Sequence, residues 1–123
     1  MDLPTLAQVS ERAKDEHSAR LKVARLFLIE NPQAVEAVKA RVREEFAKTR
    51  CTEFCVAGVL LSNAVSKAIG ADACKVDEHA LQEAAAELAV GYINESPHWQ
   101  AKFHSEDVSY FYAIVSPKGY VEQ

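Results

Sequence analysis

Thr52–Gly70, TEFCVAGVLLSNAVSKAIG, is the longest apolar stretch of the chain and carries only two charges, Glu53 and Lys67. Phe54, Ala57, Leu61, Val65 and Ala68 recur at spacings of three and four, the periodicity of one helical face. Cys55, Val56, Val59, Leu60 and Ile69 widen that face until most of the circumference is apolar, the pattern of a helix buried on several sides. Gly70 supplies a stop, because glycine accepts the left-handed backbone that ends helices. The segment 52–69 is therefore expected to be the central helix of the domain. Gly58 inside it costs about 1 kcal/mol relative to alanine, which fits a point where another backbone comes close.

On the N-terminal side, residues 1–30 read as helix. Thr5-Leu6-Ala7-Gln8 fits a capping box, in which hydroxyl and amide satisfy exposed backbone donors. The segment Glu11 to Arg20 is mostly charged, whereas Leu21 to Ile29 is much more apolar. Asn31-Pro32 then punctuates the chain, since the residue before proline avoids helical geometry. Asn31 is placed to cap a second helix with Pro32 in its first turn. Val35, Val38, Val42, Phe46 and Thr49 give that helix its apolar stripe.

On the C-terminal side, 71–76 reads as a linker. Asp77 is placed as an N-cap, with Val76 and Leu81 as a hydrophobic staple across it. An alanine-rich helix follows to about Asn94, with Leu81, Ala84, Ala85, Leu88 and Tyr92 on its buried side. After Pro97 the pattern changes to strand. His98 to Phe103 forms one arm of a β-hairpin, Ser105-Glu106-Asp107 the turn, and Val108 to Val115 the other. Strand alternation puts Tyr110, Tyr112 and Ile114 on one face and Phe111, Ala113 and Val115 on the other. Both faces of that strand are apolar, so it must be covered by the helices or lie against another molecule. The expected fold is mainly α within an α+β class: about four helices round the central helix 52–69, with a C-terminal β-hairpin. Residues 1–123 form one expected domain, of which 116–123 is a loose tail.

Charge separates the halves. Residues 1–50 hold ten Lys or Arg and eight Asp or Glu; residues 51–123 hold four and ten. The acidic second half favours a basic partner and opposes a phosphate backbone. Lys39, Arg41, Arg43, Lys48 and Arg50 are the basic concentration, but interleaved acids make it a poor electrostatic stripe. No basic region followed by an apolar run opens the sequence, and no segment is apolar over the roughly 20 residues a bilayer requires. A cytoplasmic protein without a membrane span is expected.

Few residues carry chemistry. Cys51 and Cys55, four apart, would share one helical face, and with Cys74 and His79 they make a conceivable thiolate–imidazole zinc set. The spacing is unlike structural zinc knuckles, and a cysteine in so apolar a stretch normally packs as a small hydrophobe. His98 and His104 share a strand face but lie about 20 Å apart, too far to bridge one ion. There is no phosphate loop, no zinc-protease helix and no nucleophile elbow. No cofactor is implied and no enzyme is expected.

Two further readings compete. Helices followed by a hairpin is the order of a winged-helix DNA-binding regulator, with Ala57-Gly58-Val59 as the turn and Ser62 to Lys67 opening the recognition helix. The acidic half opposes it. A thiol or metal sensor built on the cysteines is the other. The favoured expectation is a protein-binding module: a small regulator, inhibitor or adaptor, with self-association into a homodimer as one form of that binding. It would bind another protein, of basic character, through Tyr110, Phe111 and Tyr112, with Glu106 and Asp107 at the rim.

Overall fold

A computed structural model describes residues 6–106 and 110–119; for 6–13, 71, 72 and 74 it describes the backbone alone. The described residues form helices α1 (Leu6–Glu30), α2 (Pro32–Lys48), α3 (Gly58–Ile69) and α4 (Glu78–Asn94). They also form strands β1 (Phe54–Ala57), β2 (Trp99–Glu106) and β3 (Tyr110–Pro117), and a 3-10 helix at Gly70–Lys75. The fold is thus mainly helical α+β, with a small antiparallel sheet in the order β1-β3-β2.

The stretch 52–70 differs from its helical reading. Phe54–Ala57 is a strand, and the helix begins only at Gly58. In β1, Phe54 pairs with Val115, Cys55 with Ile114, Val56 with Ala113 and Ala57 with Tyr112. The hairpin strand β3 is therefore the middle strand of three. Pairing with a distant strand takes up the backbone groups that point towards β3 in four residues that local periodicity assigns to a helix. Gly70 does end α3, with φ 73°. The turn expected at Ala57-Gly58-Val59 has no helix before it, and Ser62 to Lys67 lies in the middle of α3. The element before Gly58 is the strand β1, and the 3-10 helix at Gly70–Lys75 stands between α3 and α4.

Gly58 opens α3 where two other backbones crowd it. A β-carbon there would sit 2.6 Å from the Gln82 carbonyl oxygen and 3.2 Å from that of Phe111. Only hydrogen fits between α4 and β3 at this point.

The element that the others surround is α4. Ala80, Leu81, Ala84, Ala85, Ala86, Ala89 and Ile93 are all buried in it. It packs on α1, α2, α3, β2 and β3. Asp77 caps it, its Oδ2 accepting from the Ala80 amide at 3.0 Å, and Val76 and Leu81 are both buried across that cap. Asn31 acts differently from its expected role. Its carbonyl opens α2, but its side-chain amide donates back to the Phe27 carbonyl at 2.7 Å, closing the end of α1. α1 lies on α4 through Leu21, Ala24 and Leu28. Arg25 grips both oxygens of Glu87 at 2.8 and 2.7 Å, and His17 meets Glu83 at 2.9 Å. The capping box at Thr5 to Gln8 falls outside the residues whose side chains are described.

The outer edge of β2 is closed locally. The Asn94 carboxamide accepts from the Ala101 amide at 2.9 Å and donates to its carbonyl at 3.0 Å, standing in for a neighbouring strand. Ser116 and Pro117, expected in a loose tail, belong to β3. Lys118 continues the pairing, its amide donating to the His98 carbonyl at 3.0 Å; residues 120–123 lie outside the described residues.

Replacing Gly58 by alanine is expected to lower stability by ~2 kcal/mol, because the new methyl meets backbone that cannot swing away. Gly91 of α4 has nothing within 4 Å of its β-carbon position. Gly91→Ala should therefore stabilise by roughly 0.5–1 kcal/mol through helix propensity. Urea unfolding of the two variants beside the parent reads both effects, and a neutral Gly58→Ala would contradict the packing described.

Candidate functional site

The sheet has one face against the helices and one that none of the described helices covers. Phe54, Val56, Trp99, Ala101, Phe111, Ala113 and Val115 point inward. Val56, Ala113 and Val115 are wholly buried, while Phe54 and Trp99 join Phe46 in an edge-to-face cluster with centroids 5.0 to 6.3 Å apart. The outward face follows from the pairing register. Lys102, Ile114 and Cys55 form one row across the three strands. His104, Tyr112 and Ala57 form the next, and Glu106 lies beside Tyr110 in the third. Gln100 and Ser116 end the face with a 3.2 Å hydrogen bond.

This face has a particular chemistry. The outward residues of β2 are polar, as on any solvated strand. The outward residues of β3 are Tyr110, Tyr112 and Ile114, a continuous line of large side chains. Tyr110 is 60% exposed, and Tyr112 and Ile114 are half-buried by their cross-strand neighbours. His104 leans on Tyr112 with rings 6.4 Å apart. A one-sided antiparallel sheet ordinarily alternates apolar-in and polar-out; β3 departs from that rule on the outward side.

Three of the expected site residues fall on or beside this face: Tyr110, Tyr112 and Glu106. Asp107 lies outside the described residues. Phe111 does not belong to the exposed set. It is 3% exposed and faces inward, between an edge-on His79 at 5.0 Å and a stacked Phe103 at 6.1 Å. Its position follows from alternation, which forbids neighbours in a strand from sharing a face. Phe111 thus anchors the hairpin to α4, and a partner on the outer face cannot touch it. The sequence reading put Ile114 on the face of the two tyrosines but left it, with Lys102 and His104, out of the binding set. Strand pairing brings them there, and only Ile114, grouped with the tyrosines by alternation, carried a local signal.

Cys51 and Cys55 do not share a helical face. Cys51 sits in the loop before β1 and Cys55 on the outer sheet face, both exposed. A strand therefore replaces the helical face they were to share. His79 lies on α4 against Phe111, and the Cys74 side chain is outside the described residues. Among the described residues, no three His, Cys, Asp or Glu side chains converge as a metal site. The Cys55 thiol is pushed up from its ordinary range, first by the packing that strips water from it and then by the Glu53 carboxylate.

A cleft of about 450 Å³ opens between α2 and the end of α4, floored by Phe46 and Trp99. Arg43 at its rim donates to the Tyr92 hydroxyl at 3.1 Å and to Glu36 at 2.7 Å. Lys39 lies over the Tyr92 ring, 5.3 Å from its centre. The lining is chiefly apolar and its one guanidinium is engaged within the chain.

No family model matches the chain, and neither the curated proteins nor the solved structures yield a match. No helix among the described residues is long and apolar enough to cross a membrane.

The raised thiol makes a kinetic forecast. Thiolate is the reactive form, so Cys55 should alkylate slowly near neutral pH despite its exposure. Glu53→Gln removes the nearby negative charge, the lesser of the two causes, and should speed alkylation of Cys55. Peptide mapping by mass spectrometry after timed iodoacetamide treatment measures this, and an unchanged rate would remove Glu53 as a cause.

Proposed function

We propose that the chain is a non-enzymatic protein-binding module whose contact surface is the outer face of the sheet. The observation that carries this reading is the outward line Tyr110–Tyr112–Ile114 on the middle strand, with none of the described helices over it. Aromatic side chains bury much area at little entropic cost and supply most interface hot spots. Lys102, His104 and Glu106 form a polar border on one side of the line, the arrangement of an apolar centre with a polar rim. The face is rigid, because β3 is paired on both sides and its inner residues are locked in the core. A rigid patch loses little freedom on binding.

The partner that fits is a protein presenting an apolar patch with basic residues at its margin, to meet Glu106 and the acidic second half of the chain. Its effect would be that of a small regulator, inhibitor or adaptor. Two exposed, unpaired thiols suit a reducing compartment, which supports a cytoplasmic setting.

The experiment places a photo-crosslinking amino acid at Tyr110, at His104 and, as a control, at Glu36 on α2, in the protein's own cells. One discrete crosslinked partner from both face positions and none from the control is expected. With that partner purified, Tyr110→Ala should weaken binding about 30-fold. Folding stability should move by less than about 0.5 kcal/mol, since the side chain is exposed. Crosslinks from Glu36 alone, or an affinity indifferent to Tyr110→Ala, would move the function off this face.

A second reading, winged-helix DNA binding, is favoured by one observation: α2, β1, α3, α4 and the β2–β3 hairpin run in the winged-helix order, with β1 beside β3. Charge and access weigh against it. α4, in the place of a recognition helix, has Glu83 and Glu87 paired to His17 and Arg25 of an α1 that lies across it. Fluorescence anisotropy with a random-sequence duplex should show no appreciable binding at 50 mM salt. Binding there that weakens steeply by 200 mM, as phosphate contacts require, would instead favour the DNA reading.

A further inference from the structure

The sheet has two outer edges, and only that of β2 is closed. Asn94 takes both backbone groups of Ala101 there, so Ala101 points away from β3. Backbone direction alternates along an antiparallel strand, and His98 agrees with this phase, its carbonyl accepting from Lys118 on the β3 side. Val115, opposite Ala101, then turns its own groups to Phe54, and Ala113, opposite Phe103, turns its groups to Val56. The alternate residues of β1, Cys55 and Ala57, are left facing away from the sheet. The Ala57 carbonyl belongs to the start of α3, where Ala57 is the N-cap. That leaves the N–H and C=O of Cys55 and the N–H of Ala57 on the open edge. Among the described residues no backbone or side-chain group pairs with them.

Such groups are a template for another strand. β1 is short, at four residues, but it carries no proline, charge or bulge to turn a strand away. An antiparallel segment would pair one residue with both groups of Cys55 and another, two positions earlier, with the Ala57 N–H. Both side chains would fall on the outer face of the sheet. One extends the row Lys102–Ile114–Cys55 and the other the row His104–Tyr112–Ala57. Ala57 is the smallest member of its row, so a long apolar side chain opposite it can cross its methyl group to Tyr112. Antiparallel direction then brings the segment past the exposed Glu53 carboxylate, just ahead of β1. Charge complementarity asks for Lys or Arg at that point.

We infer that the partner engages this chain as an added strand, an extended segment laid antiparallel along the open edge of β1. The segment has apolar residues at two alternate positions and a basic residue two positions further on. The inference rests on the reading of the outer sheet face as the contact surface, and it states how a partner reaches that face. Backbone pairing fixes the register, and the alternate side chains give selectivity.

The probe is a synthetic peptide, Ser-Thr-Ile-Thr-Ile-Thr-Lys-Ser with blocked ends, added to the isotope-labelled chain up to about 1 mM. In NMR spectra the amide signals of Cys55 and Ala57 should shift, and hydrogen exchange at the Cys55 amide should slow. Ala57 has φ −77°, which proline shares, so Ala57→Pro removes only the outward N–H and sets a ring on the edge. That variant should keep its circular dichroism spectrum and bind the peptide about tenfold or more weakly. The same peptide N-methylated at its second isoleucine, the residue facing Cys55, should lose binding to the parent chain, a readout that needs no variant to fold. Absence of a shift at Cys55, or equal binding of the methylated peptide, would overturn the added strand. So would Cys55 exchange that slows with the concentration of the chain alone, because a second copy would then hold the edge. The face and the edge fail separately. A crosslinked partner lost with Tyr110→Ala but kept by Ala57→Pro overturns the added strand and leaves the face reading. Peptide pairing at Cys55 with no crosslink from the face overturns the face reading alone.

Discussion

The structure depends on the smallness of the side chains on α4. Ala80, Ala84, Ala85, Ala86 and Ala89 are each at most 2% exposed, and they let four other elements and the far strand of the hairpin approach one helix. Alanine contributes little hydrophobic area by itself. Its value here is geometric, because a helix with methyl side chains permits close contact on several sides at native packing density. Gly58 extends the same logic to the neighbouring backbone, where the start of α3 passes between Gln82 and Phe111. Larger residues along α4 would push α1 and the sheet apart, and over-packing of such a core costs about 1–3 kcal/mol per site.

Once α4 is fixed, the sheet has little freedom. Phe111 docks between His79 and Phe103, Ala113 and Val115 seat against the helices, and Asn94 at the end of α4 pairs with the edge of β2 at Ala101. These contacts set the register, and register decides which residues face outward. A slip of one residue would bury Tyr112 and expose Ala113. The candidate surface is thus a by-product of core packing: Tyr110, Tyr112 and Ile114 face outward because Phe111, Ala113 and Val115 are needed within. Their size is the part that core packing leaves unexplained, and that residue of explanation is what points to a partner.

Signals that act over short range were legible in the sequence. The Asp77 cap, the Gly70 stop, the Asn31-Pro32 break and the two faces of β3 all depend on neighbours within a few residues. The features that were not legible depend on pairing across the chain. Phe54-Cys55-Val56-Ala57 sits in an apolar run where periods of 2 and 3.6 both fit, and its strand partner is about 60 residues away. Cys55 follows from that: a helical reading buries it, whereas the strand sends it outward beside Ile114. α4 was legible as a helix, but its central place was not, because alanine gives a weak hydrophobic signal and the stronger one came from α3. The outer apolar side of α1, at Val23, Leu26 and Ile29, was visible only as a change in greasiness at Leu21. Which of its two apolar sides meets the core is settled by packing on α4.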